Sequence, residues 1–124
     1  MERPRDLLTR VHGRIRRFSS RIVVVPYEDA ASLLVFGPID DDASRLIDTS
    51  VRDLLKAGVK EIRVDLGNSD RIEPGGAARF RNTLAAATER GGKAVFVALS
   101  ETIARQLRRA GIVGHVKLDE PFAS

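Results

Sequence analysis

Between Ala31 and Leu118 apolar runs of strand length take turns with segments whose apolar residues recur every three to four positions. A chain patterned this way buries both kinds of segment by laying helices against a largely parallel sheet. The strand runs are Ala31 to Phe36, Glu61 to Leu66, Ala94 to Leu99 and Val113 to Leu118, preceded by β-branched Ile22 to Val25, which Pro26 is expected to close. A polar turn at Glu28-Asp29 separates the first two. Three helices fall between the later strands. The first begins after Asp40-Asp41-Asp42, carries Ala43, Leu46, Ile47, Ser50, Val51, Leu54 and Leu55 at helical spacing, and stops at Gly58. The second runs from about Pro74 to Arg90, with Ala77, Phe80, Leu84 and Ala87 as its inward stripe and Gly91-Gly92 after it. The third is capped by Ser100, turns Ile103, Leu107 and Ala110 inward and ends at Gly111. The expected fold class is α/β, a mixed β-sheet with helices packed on it.

A length of 124 residues fits one domain with a core that needs no staple. The absence of cysteine excludes disulfides and thiolate chemistry and suits a cytoplasmic location. No apolar run approaches the ~20 residues that span a bilayer, and Ile22 to Pro26 is too short for the core of a signal peptide.

The net charge of +4 is unevenly placed. Residues 1–21 hold seven arginines against Glu2 and Asp6, whereas the rest carries 14 basic and 15 acidic residues. Residues 1–20 therefore form a basic arm attached to a nearly neutral domain over 21–124. In the arm Leu7, Leu8, Val11, Ile15 and Phe18 make one helical stripe surrounded by arginines, bounded by Pro4 and Ser19-Ser20. Such a segment packs on its own domain or a partner, or lies on an anionic membrane surface. With Phe18 as its one aromatic, both the membrane-surface and the nucleic-acid readings are weaker than packing on the domain or a partner, nucleic acid the weakest.

Nothing in the residues points to catalysis. His12 and His115 stand in no ligand-like or triad-like spacing, and no metal or cofactor is expected. The triple aspartate lacks the glycine and bidentate acid of a calcium loop and reads as a capped helix start. The informative stretch is Val64 to Ala77: a buried strand, a tight turn and a helix start carrying Gly75-Gly76. Glycines there serve close packing, or else open the helix N-terminus to a phosphate or carboxylate. No P-loop lysine follows. Arg71 and Arg79 flank the turn and, if exposed, favour an acidic partner.

The element order resembles that of STAS domains, the fold of bacterial anti-sigma-factor antagonists, and so do several local patterns. Val35-Phe36-Gly37-Pro38-Ile39-Asp40 is similar to the family's apolar strand, glycine and I/L-D before the first helix. Ile62-Arg63-Val64-Asp65-Leu66 resembles its apolar-x-apolar-D-L strand, and Leu107 to Ile112 its L-x-x-x-G-I/L ending. The likeness covers about residues 21–120. It departs where the family carries D-S-S/T-G and is phosphorylated on the second hydroxyl residue. Here the matching run is Glu73-Pro74-Gly75-Gly76, so Gly75 stands at the acceptor place and no phosphorylation site is carried over.

The resemblance implies a non-enzymatic protein-interaction module in the regulation of transcription through sigma factors. Its partner would be a protein such as an anti-sigma kinase, and a homodimer is compatible with it. The expected partner-binding residues are Asp40, Ser69, Asp70, Arg71, Glu73, Pro74, Gly75, Gly76 and Arg79. Two other classes stay open: an accessory subunit of a membrane transport system, its arm near anionic lipid, and a sensor of nucleotides or other anions at Gly75-Gly76.

Overall fold

The computed structural model describes residues 21–112 and 116–118. The arm expected over residues 1–20 and the first residues expected in the final strand, Val113 to His115, lie outside them. The described chain runs β1 (Arg21–Tyr27), β2 (Ala30–Phe36), α1 (Asp41–Lys56), β3 (Glu61–Asn68), α2 (Pro74–Glu89), β4 (Lys93–Ala98), α3 (Glu101–Arg109), β5 (Val116–Leu118). The five strands form one sheet in sequence order. β1 and β2 are an antiparallel hairpin, and every later neighbour is parallel.

Because the strands advance in one direction across the sheet, successive crossovers of the same hand deliver their helices to one face. Alternation in the strands matches this. Leu33 and Val35, Ile62, Val64 and Leu66, and Ala94, Phe96 and Ala98 join α1, α2 and α3 in one buried cluster. Phe80 of α2 stacks on Phe96 of β4 with centroids 4.5 Å apart.

The expected helix ends are met by specific bonds. Asp40 caps α1, its Oδ1 accepting from the Ala43 N–H at 2.8 Å, and Ser100 caps α3 through Ile103. Gly58, just beyond the Ala57 cap of α1, takes φ 95°, the left-handed region that a side chain disfavours.

Three local readings are corrected. Pro26 does not close β1, which continues through Tyr27; β1 is an edge strand, where a missing N–H breaks no ladder on the open side. β3 runs two residues past Leu66 to Asn68, through an irregularity in its pairing with β2. In α2, Leu84 is half-buried and Thr83 is buried instead. The Thr83 hydroxyl donates to Asp48 Oδ1 of α1 at 2.6 Å, so a polar residue closes the helix–helix seam.

Candidate functional site

β2 and β3 end at the same edge of the sheet, and the two loops leaving them are joined by backbone bonds. The Gly37 N–H donates to Asn68 O at 3.2 Å, the Ile39 N–H to Arg71 O at 2.8 Å, and the Glu73 N–H to Ile39 O at 2.9 Å. Ile39 and Ile72 form an isolated parallel bridge, and both side chains are buried. The chain thus extends the β2–β3 pairing past the regular strands. This brings the starts of α1 and α2 together outside the carboxyl ends of parallel strands, where open α/β sheets hold their binding surfaces. Gln106 of α3 adds a third tie, its Nε2 donating to Ile72 O at 3.2 Å.

The two glycines have different surroundings. Neither needs a left-handed backbone, since the positive-φ glycines of the described chain are Gly37, Gly58, Gly91 and Gly111. A Cβ built on Gly76 would lie 3.2 Å from Ser44 Cβ and 3.7 Å from Ile39 Cγ2, so Gly76 lets α2 approach α1. A Cβ on Gly75 would meet nothing within 4 Å. Gly75 faces open space in the first turn of α2, which has neither a side-chain cap nor an acidic residue. Packing therefore explains Gly76 and does not explain Gly75.

Around this entrance Asp70, Arg71, Glu73, Pro74 and Gly75 are exposed. The remaining expected contact residues are engaged inside the protein. Asp40 is half-buried and bonded as the α1 cap. Ser69 is buried, its hydroxyl directed at Val35 O at 3.4 Å. Arg79 is 30% exposed and pairs across the helix seam: its Nη2 donates to Asp41 Oδ1 at 2.9 Å and its Nε to Ser44 Oγ at 3.2 Å. The Ser44 hydroxyl in turn donates to Asp41 O at 2.8 Å. The Arg79 hydrogen bond lowers the Asp41 carboxyl pKa below its usual range; desolvation opposes this, and the Arg45 and Arg79 charges add to it. Arg79 locks α1 to α2, and the cation left facing outward from the turn is Arg71.

Ser44 and Gln106 carry no mark in the sequence, and Asp41 reads there as part of a capped helix start and not as a clamp. Each acts through a neighbour distant in sequence, and no local pattern marks that pairing. Among the described residues no three His, Asp or Glu side chains come together as a metal site. No helix of the described chain is long and apolar enough to cross a membrane.

The family model of the STAS domain matches residues 21–123. The chain belongs to the STAS domain family. Solved structures agree with the architecture. The anti-sigma factor antagonist SpoIIAA in its unphosphorylated form superposes with a TM-score of 0.69 at 12% identity, covering 79% of this chain and 87% of that one; its phosphorylated counterpart comes from Bacillus. A putative anti-sigma factor antagonist from Thermotoga maritima gives 0.68 at 19% identity, covering 82% and 88%. An anti-sigma factor antagonist from Mycobacterium paratuberculosis gives 0.64 at 18% identity, covering 84% and 88%. At these identities the likeness is one of fold. No curated protein sequence matches the chain.

Proposed function

We propose that this STAS domain is a non-enzymatic docking module, an anti-sigma-factor-antagonist-like regulator that binds a protein partner at the α2 entrance without a phosphorylation switch there. The observation that supports this most is the open space at Gly75. The helix start is held in place by three loop bonds and a helix-to-helix clamp, yet Pro74 and Gly75 of its first turn are exposed. Such a rigid, accessible backbone edge suits recognition. The surface is the Gly37–Asp40 turn, the exposed part of the Ser69–Gly76 loop and the outer side of α2. Its charges are Asp70, Arg71 and Glu73.

At the acceptor position implied by the family pattern, glycine offers no hydroxyl. Binding is then constitutive, or controlled by partner supply. Calorimetry against an anti-sigma kinase-like protein of the same genome tests this. The wild-type chain is expected to bind equally with ADP or ATP. Gly75→Arg, placed where an added Cβ meets nothing within 4 Å, is expected to weaken binding about tenfold or more, ~1.4 kcal/mol, while melting like the wild type. Unaltered binding by Gly75→Arg would remove the entrance from the interface.

A further inference from the structure

The sheet has a second face, opposite α1, α2 and α3. Along it lie Val23, Val25 and Tyr27 of β1, Ser32, Leu34 and Phe36 of β2, Glu61, Arg63 and Asp65 of β3, and Lys93, Val95 and Val97 of β4, alternating with the residues of the helix-side core. None of the three described helices packs there. Val23, Leu34, Phe36 and Val95 are half-buried, Val97 is buried, and Val25 and Tyr27 are 45% and 72% exposed. A row of apolar side chains on a broad sheet face calls for a cover.

We infer that the basic arm of the same chain is that cover: a helix over about residues 5–18 laid on the second face of the sheet, its stripe of Leu7, Leu8, Val11, Ile15 and Phe18 turned inward. Three facts select this occupant. The first is reach. Ser19 and Ser20 alone separate Phe18 from Arg21, which pairs with Phe36 at the end of the sheet; at ~3.5 Å per residue the helix end stays within about 10 Å of β1. The helix-side face of β1 is already filled, since Ile22 and Val24 are buried in the core, so the open side is the second face.

The second is shape. At 100° per residue the five apolar side chains fall within ~100° of arc, the width of a core-facing stripe. Fourteen helical residues span about 21 Å, close to the ~23 Å of a seven-residue strand, and a helix about 10 Å wide covers two strand spacings. The rung Leu34–Asp65–Val97 spans two such spacings, with Asp65 at its middle.

The third is charge. Arg10 and Arg14 flank the stripe at one edge; on this face Lys93 stands beside Glu61 and Arg63 lies between Glu61 and Asp65, while Asp65 sits between the apolar Leu34 and Val97. Asp65 is half-buried and satisfied on one oxygen by the Gly67 N–H at 2.8 Å, which leaves the other to pair with a cation.

The chain contains no cysteine, so one introduced thiol carries one label. A nitroxide at Thr9→Cys, on the polar side of the arm, is placed on the full-length protein with methyl-labelled Val and Leu. The methyl signals of Val23, Leu34, Val95 and Val97 are expected to lose most of their intensity, while those of Leu46 and Leu55 on α1 keep theirs. Adding Leu8→Asp, Val11→Asp and Ile15→Asp to the labelled chain should restore the lost signals and leave the domain's circular dichroism and melting cooperative. Three results overturn the inference. One is no broadening on the second face. Another is broadening only when label and isotope sit on different copies, which assigns the face to a second molecule. The third is broadening only with phosphatidylglycerol vesicles present, which assigns the stripe to a membrane.

Discussion

Phe80→Ala is expected to lower the unfolding free energy by about 3–5 kcal/mol, the range for truncating a fully buried aromatic. Phe80 is fully buried, and its ring stacks on Phe96 at 4.5 Å and 26° between planes. It is the point at which α2 grips β4, so truncation opens a cavity between a helix and a strand buried at Phe96. Against a total of about 5–15 kcal/mol for a domain, this is a large fraction. Urea unfolding followed by far-ultraviolet circular dichroism measures it as a fall in midpoint at unchanged slope. Leu84→Ala, four residues on and half-buried, should cost markedly less. Phe96→Ala combined with Phe80→Ala should cost less than the two singles together, because both remove the same contact. Equal costs for Phe80→Ala and Leu84→Ala would mean that α2 sits rotated from the placement described here.

The adjacent glycines should respond with opposite signs. Gly76→Val is expected to destabilise by about 1–3 kcal/mol, the usual cost of forcing extra methyl groups into a filled seam. Its Cβ would press on Ser44 Cβ at 3.2 Å, and Ser44 is the residue that holds Arg79 Nε. Pushing α2 from α1 therefore also loosens the Arg79–Asp41 clamp. Gly75→Ala is expected to stabilise by about 0.4–1 kcal/mol, since its backbone suits alanine and the gain comes from a less flexible unfolded chain. Thermal or urea unfolding of the two variants reads the contrast directly. Destabilisation by both would mean that the entrance is closed at Gly75 as well, and the proposed docking surface would lose its support.

Elements governed by neighbours in sequence were legible. The caps Asp40 and Ser100 precede apolar stripes, and Gly58, Gly91 and Gly111 follow them with the left-handed backbone a helix stop uses. Pro26 misled because a proline's effect depends on whether its strand is at an edge, which is a property of the sheet. Thr83 breaks the apolar stripe of α2 because its partner, Asp48, comes from another helix.

The candidate site divides in the same way. The strand, turn and glycine-bearing helix start could be read along the chain. The difference between Gly75 and Gly76 could not, because it is created by Ser44, more than thirty residues away. The Ile39–Ile72 bridge and the Gln106 bond, which hold the two loops together, were hidden for the same reason. Arg79 reads along the chain as a surface cation, but Asp41 and Ser44 of α1 engage it across the helix seam.

The α2 entrance is proposed to recognise a partner and to undergo no phosphorylation. Mass spectrometry of the wild-type chain and of Gly75→Ser, each incubated with the anti-sigma kinase-like partner and ATP, tests this proposal most directly. The wild-type peptide over residues 69–76 is expected without added mass, and Gly75→Ser with one phosphoryl group at position 75. Phosphate on Ser69 of the wild type, whose hydroxyl is buried against Val35 O, would contradict it.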